Sequence, residues 1–129
     1  MLKMFESITD ARWHPDIPVE YRNRIVTGDA RELAKAIPDG SIDLIFTDPV
    51  YSNIDDYRWL AETAARILKL TGNALIWQGV KWIPQTTKVL GNYLDYRWTF
   101  ELSHLNATVG TIKGNVYSHW TPCFWYSKN

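Results

Sequence analysis

Apolar positions form a compact run in one part of this chain and recur at helical spacing in another, and this difference separates predicted strands from predicted helices. In residues 42–47, IDLIFT, apolar side chains form a compact run of the length of a buried strand. Over residues 55–70 they recur every three or four positions, which is the spacing of one helix face. The most regular part of the chain therefore predicts a strand followed by a long helix, as in an α/β sheet.

The pattern before this unit predicts another strand and helix. Residues 24–27 are read as a short strand, and the next helix begins at Asp29, whose carboxylate suits an N-cap. Turn residues at 38–41 end that helix. The order strand, helix, strand predicts that residues 24–27 and 42–47 pair in parallel.

The pattern after the long helix predicts three further strands and one helix. Thr71, Gly72 and Asn73 are expected to stop the helix, and the glycine-bearing residues 106–115 are expected to form a loop. The two strands around that loop predict an antiparallel hairpin at one edge of the sheet. The further elements are strands over 74–78, 93–104 and 117–128 and a helix over 81–91.

Composition places the chain among ordinary single domains. It has 129 residues, a formal net charge of +0, and one cysteine, Cys123, which excludes an internal disulfide and a cysteine-based zinc cluster. The neutral charge argues against strong nonspecific binding of nucleic acid. Three scattered histidines, without a cluster of carboxylates, predict no metal site.

The N-terminal region is polar and irregular, and residues 1–23 are interpreted as an arm in front of a domain over residues 24–129. It resembles no signal peptide, and no run reaches the ~18 apolar residues of a membrane span. The expected location is the cytoplasm. Seven tryptophans are unusual in so short a chain, and they are suited to a core, a partner surface or stacking on bases.

The end of the strand over 42–47 carries the most distinctive short motif, Asp48-Pro49-Val50-Tyr51. Ligands of open α/β sheets bind beyond the carboxyl ends of the strands. Proline restrains its own torsion and that of the preceding residue, so the Asp48 carboxylate and the Pro49 carbonyl form two fixed acceptors. They suit the two N–H donors of an amine on an aromatic base, on which Tyr51 can stack. An ordinary Asp-Pro turn accounts equally well for the four residues alone.

The surrounding segments carry a family resemblance. The stretch IVTGDARELAKAIPDGSIDLIFTDPVYSN, followed by WLAETAARILKLTGNALIW, resembles the beta-class DNA amino-methyltransferases, and the likeness covers about residues 24–128. These enzymes transfer a methyl group from S-adenosylmethionine to adenine N6 or cytosine N4. Their catalytic motif is Asp, Asn or Ser, then Pro-Pro, then an aromatic residue, which the chain matches except at Val50.

The resemblance implies a partial Rossmann-like methyltransferase fold, mostly parallel with an antiparallel C-terminal hairpin. It implies that Asp48 and the Pro49 carbonyl accept hydrogen bonds from the target amine, and that Tyr51 stacks on a base flipped out of DNA. Asp29 and Ala30 match the positions that lie near the adenine of the cofactor. No metal takes part in this chemistry.

Two departures from the family change what we expect. Val50 replaces the second proline, which removes a restraint on Pro49. The glycine-rich cofactor loop is absent, since the chain contains no Gly-x-Gly. Residues 24–129 are therefore interpreted as a truncated catalytic half, inactive alone or dependent on a partner, which we expect to be a second copy or a complementary chain. The alternative is a non-enzymatic α/β module that binds protein or nucleic acid.

Overall fold

The computed structural model describes residue 14, residues 16–105, the strand backbones of 109–112 and 116–117, and residues 118–128. Most of the arm interpreted over residues 1–23 lies outside this part. No described helix is both long and apolar enough to cross a membrane. The elements are α1 Ala30–Leu33, β1 Ile42–Thr47, α2 Ile54–Ile67, β2 Leu68–Trp77, α3 Ile83–Leu90, β3 Leu94–Ser103, β4 Val109–Ile112, β5 Val116–Ser118 and β6 Trp120–Lys128, with short 3-10 turns at Val19–Tyr21, Ala34–Ala36 and Val80–Trp82.

Four strands form the main sheet, in the order β1-β2-β6-β3. Strands β1 and β2 are parallel, and β6 is antiparallel to both β2 and β3. Three strands therefore point in one direction and only β6 is reversed. The predicted antiparallel pairing of the last two long strands is confirmed, with β3 at the sheet edge and β6 inside it.

The predicted strand over residues 24–27 is wrong, and so is its parallel pairing with β1. The segment has no regular structure, and the Ile25 side chain is 98% exposed. A strand needs a neighbour for its backbone groups. Strand β1 pairs with β2 instead, and none of the described strands lies along its other edge.

Two boundaries after β1 also differ from the sequence prediction. Helix α2 ends at Ile67, and Gly72 lies within β2 and does not stop the helix. A Cβ atom at Gly72 would lie 2.9 Å from the carbonyl oxygens of Ile42 and Lys69, so glycine permits this close approach of the backbones. Part of the loop predicted over 106–115 is strand β4, which pairs with β5.

The core lies between the sheet and the two longer helices. Of the apolar stripe predicted for the long helix, Leu60, Ala64, Ile67 and Leu68 are buried and Trp59 is half-buried. It packs on alternate residues of β2 and β6. The opposite face of the sheet carries aromatic pairs instead, and Phe46 and Trp98 there remain more than half exposed.

Candidate active site

The candidate site begins where β1 ends. Asp48 and Pro49 follow Thr47 directly, and the backbone N–H of Asn53 donates to the Val50 carbonyl at 3.0 Å, which closes a turn before α2. Pro49 is half-buried, whereas Val50 is 66% exposed. Val50, which replaces the second proline of the family motif, therefore lies on the surface of the turn.

Tyr51 is held between this turn and the end of β2. A Cβ atom at Gly79 would lie 2.7 Å from the Tyr51 Cδ2 atom, so the ring packs directly on the glycine backbone. Burial, hydrogen bonding to the Asp48 carboxylate and the charge of that carboxylate raise the pKa of Tyr51 to about 12. The phenol is therefore neutral over the physiological range and donates toward Asp48.

Two further groups near Asp48 also keep their protons. Burial raises the pKa of Tyr57, with smaller effects from Tyr51 and Asp48, and the Tyr57 hydroxyl donates to the Trp77 carbonyl at 3.0 Å. Burial and then the charge of Asp48 raise the pKa of the Cys123 thiol. Three neutral side chains, those of Tyr51, Tyr57 and Cys123, therefore lie near Asp48, which is itself exposed.

A cavity of about 330 Å³ brings most of the predicted site residues together. Asp29 and Ala30, at the start of α1, line it with Asp48 and Pro49. Tyr51 does not belong to its lining. The cavity is lined by Asp29, Ala30, Arg31, Thr47, Asp48, Pro49, Val50, Asp56, Trp59 and Leu60.

Asp29 has the capping role that the sequence predicts. Its Oδ1 atom accepts from the backbone N–H of Arg31 at 2.8 Å. A carboxylate has about four acceptor positions. The cap therefore leaves Asp29 able to accept further hydrogen bonds from a ligand in the cavity.

Six of the ten lining residues were not predicted as site residues, and three of these, Arg31, Asp56 and Trp59, interact across the cavity wall. The Arg31 guanidinium binds the Asp56 Oδ1 atom at 2.6 Å and lies 5.4 Å from the centre of the Trp59 ring. Asp56 also accepts from the Asn53 side chain at 2.8 Å. Asp56 and Trp59 are three residues apart on a helix, which indicates a shared face. Their contact with Arg31 joins α2 to α1, and the spacing along the sequence does not reveal it.

Comparison with known proteins points to one class of enzyme. No protein-family model matches the chain. The type II methyltransferase M.BamHI of Bacillus amyloliquefaciens is 29% identical over an alignment of 93 residues, and the match covers 57% of this chain and 22% of M.BamHI. In sequence, the chain is therefore similar to part of a DNA methyltransferase.

Solved structures agree with this relationship at the level of the fold. M1.HpyAVI, in complex with S-adenosylmethionine, matches 82% of this chain and 55% of its own, with a TM-score of 0.65 and 21% identity. The PvuII DNA methyltransferase, which is specific for cytosine N4, matches 79% of this chain and 48% of its own, with a TM-score of 0.61 and 21% identity. The predicted partial Rossmann-like methyltransferase fold is therefore confirmed.

Two of the proteins with this fold have structures that contain the methyl donor of their reaction class. M1.HpyAVI and TTHA0409 of Thermus thermophilus have both been solved with S-adenosylmethionine. TTHA0409 matches 79% of this chain and 51% of its own, with a TM-score of 0.59 and 18% identity. The chain thus spans about half the length of the solved relatives, and its match covers 22% of the length of M.BamHI.

Proposed function

We propose that this chain is the base-binding part of a DNA amino-methyltransferase, which methylates adenine N6 or cytosine N4 with S-adenosylmethionine. One observation carries the proposal. Asp48 and Pro49, at the carboxyl end of β1, line the same cavity as Asp29 and Ala30, in a chain related to DNA methyltransferases. The PvuII enzyme, with the same fold, is cytosine-N4-specific.

Asp48 and Pro49 are proposed to hold the target amine. The Asp48 carboxylate and the Pro49 carbonyl accept one N–H each, which orients the nitrogen lone pair away from the ring plane. The Tyr51 hydroxyl, which interacts with this carboxylate, can use only part of its acceptor capacity. Asp48 can therefore receive an amine with Tyr51 beside it.

Tyr51 is proposed to support the flipped base. One side of its ring packs against Gly79, which fixes its orientation. A base on the outer side of the ring would gain about 1–3 kcal/mol from stacking. Its place outside the cavity suits this role, since the cavity is then left for the cofactor.

The cavity fits the adenosine part of S-adenosylmethionine. Its volume of about 330 Å³ is near the lower end of ordinary ligand pockets, roughly 300–1,000 Å³. Trp59 and Leu60 offer apolar walls for a purine, and Asp29 offers an acceptor. When bound, the cofactor supplies an electrophilic methyl group on its sulfonium.

The rest of the cofactor needs a second segment. The chain has no Gly-x-Gly whose backbone N–H groups could approach the ligand closely. We propose that a complementary chain or a second copy supplies that surface. A cytoplasmic location, next to DNA, stays a prediction.

A nuclear magnetic resonance titration of the 15N-labelled chain tests the cofactor site. Because the chain offers only part of the binding surface, we expect S-adenosylmethionine to bind with a Kd of about 1 mM, typical of small fragments. The amide signals of Asp29, Ala30 and Asp48 should move most. Asp29→Ala should weaken binding about ten-fold, since a purine amine would lose its acceptor.

Asp43→Ala is the matched control, because Asp43 is an exposed acid that pairs with Lys69 and lies outside the cavity. It should leave the affinity unchanged. Equal weakening by both substitutions would show a nonspecific charge effect. An absence of shifts at Asp29 and Ala30 would remove the proposed cofactor role and favour the alternative, a protein-binding module without chemistry.

A further inference from the structure

A second open edge of the main sheet runs along β3. This strand stands at the end of the order β1-β2-β6-β3, and none of the described strands lies on its outer side. Its part from Trp98 to Ser103 pairs with β6 without an irregularity. Lysine and proline, which often protect an edge from association, are absent from Leu94–Ser103. The outer backbone groups of β3 are therefore available for pairing with another strand.

One hydrogen bond shows which backbone groups of β3 face outward. The N–H of His104, directly after the strand, donates to the carbonyl of His119, directly before β6, at 2.6 Å. In an antiparallel pair, the groups of successive residues point alternately toward and away from the partner strand. Even-numbered residues near the end of β3 therefore face β6, and Thr99 and Glu101 direct their backbone N–H and C=O groups outward.

The side chains along this edge are apolar and incompletely covered. Trp98, Phe100 and Leu102 alternate along the strand and so share one face of the sheet. They are 62%, 48% and 50% exposed, respectively. The Phe100 ring stacks on that of Trp125 in β6, with ring centres 6.3 Å apart and an angle of 21° between the planes. An apolar row therefore runs from the inside of the sheet to its edge.

We propose that β3 pairs with β3 of a second copy of the chain, antiparallel about a two-fold axis at Phe100. In this register Phe100 faces its own counterpart, and Trp98 faces Leu102 of the second copy. The outward backbone groups of Thr99 meet those of Glu101, as an antiparallel ladder requires. Cross-strand pairs with aromatic side chains stabilise a sheet. The stacked rings of the two copies then form one continuous aromatic row across the axis.

A second copy is the occupant that this edge fits best, because its sequence is compatible with its own reverse. Residues 98, 100 and 102 bring only apolar side chains to one face of the junction, and Glu101 meets an uncharged threonine. An axis at Glu101 would set two carboxylates directly opposite each other, which is destabilising. An axis at Thr99 would carry the ladder into the irregularity between Tyr96 and Trp98. An axis at Phe100 avoids both faults.

The dimer leaves the candidate active site open. None of the residues lining its cavity belongs to β3, and β1 lies at the other end of the sheet order. The inference therefore stands apart from the proposed function, and its test needs neither cofactor nor DNA.

Analytical ultracentrifugation over rising protein concentration tests the dimer. Pairing along residues 98–102 buries less than the roughly 1,600 Å² of a standard interface, so we expect a weak dimer with a Kd on the order of 0.1 mM. Phe100→Lys should weaken it about ten-fold or more, because two lysines would meet at the axis. An equimolar mixture of Phe100→Lys and Phe100→Glu should restore association, since opposite charges then face each other. This recovery also shows that both variants are folded.

Leu44→Lys is the matched control, since Leu44 is 54% exposed and lies on β1 at the opposite edge of the sheet. It should leave the Kd of the dimer unchanged. The register is tested by cysteines. Phe100→Cys should form an intermolecular disulfide on mild oxidation, because the two Cα atoms would be about 4.5 Å apart, whereas those of Leu102→Cys would be about 14 Å apart.

A chain that stays monomeric up to about 1 mM would overturn the inference. So would equal effects of the two lysines, failure of the mixed variants to associate, or equal cross-linking at positions 100 and 102. A dimer that only Leu44→Lys dissociates would place the contact at the β1 edge and overturn the inference too.

Discussion

Gly79 lies so close to Tyr51 that a single added methyl group should disturb the candidate site. In Gly79→Ala the new Cβ atom would lie 2.7 Å from Cδ2 and 2.9 Å from Cβ and Cγ of Tyr51. Real Cβ atoms essentially never approach other atoms this closely. Rotation of the ring moves Cδ2 but leaves Cβ in place, so the turn or the end of β2 must shift.

The cost should be that of overpacking, about 1–3 kcal/mol of unfolding free energy. Backbone strain adds nothing, because the φ angle of Gly79 is −76°, which alanine adopts freely. Gly91→Ala is the control. Its nearest contact would be 3.1 Å, to a carbonyl of its own helix end, and its φ of −67° is helical. That substitution should change the stability by less than about 1 kcal/mol.

Urea unfolding of the two variants measures this difference. Tyr51→Ala should partly relieve the clash, so the double variant Gly79→Ala/Tyr51→Ala should be more stable than the two single effects predict, by about 1 kcal/mol. Equal stability of Gly79→Ala and Gly91→Ala would refute the packing of Tyr51 on Gly79. Additive effects in the double variant would do the same.

Three further predictions concern single side chains. The pKa of Tyr51 in the folded protein is about 12 against an ordinary 10.0, so the stability contributed by the protonated phenol should be full below pH 10 and lost as the pH rises to about 12. Urea unfolding midpoints across this range should fall less for Tyr51→Phe than for the wild type. An equal fall in the two proteins would contradict the raised pKa. Thr86→Val should cost about 1–3 kcal/mol in urea unfolding, since the buried Gln78 carbonyl loses its donor, whereas Thr71→Val on the exposed surface should cost little. Asp29→Ala should cost about 1 kcal/mol through the lost helix cap, and Asp29→Asn should restore most of it; equal losses would exclude the cap as the cause.

The sequence predicted the elements whose pattern is local and regular. Helix α2 has an apolar face at helical spacing, and β1 is a compact apolar run, so both were recovered within a few residues. Residues 24–27 have equally good strand composition. None of the strands in the described part of the chain lies beside them, and a local pattern does not report whether a neighbour exists.

Glycine was the main source of wrong boundaries. Gly72 suggests a helix stop, yet its function in the fold is to let β2 pass close to the Ile42 carbonyl. Gly110 suggests a loop, but it lies in β4. At Gly72 a contact distant in sequence overrides the local preference, whereas at Gly110 the pairing of β4 with the nearby β5 does so.

The candidate site was predicted in part for a related reason. Asp48, Pro49, Asp29 and Ala30 follow motifs that a single sequence displays, and they line one cavity. Arg31, Asp56 and Trp59 form the opposite wall through an ion pair and a cation–π contact between α1 and α2. The side-chain geometry that joins them appears only when the two helices are placed together.

Methyl transfer to DNA by the chain, once combined with a complementary half that it binds, tests the central claim most directly. Tritium from S-adenosylmethionine labelled in its methyl group would be followed into DNA, and the labelled base identified after hydrolysis. The account predicts label on adenine N6 or cytosine N4, lost in Asp48→Ala and kept in Asp43→Ala. A complex that binds the cofactor but transfers no label, or transfer that survives Asp48→Ala, would contradict it.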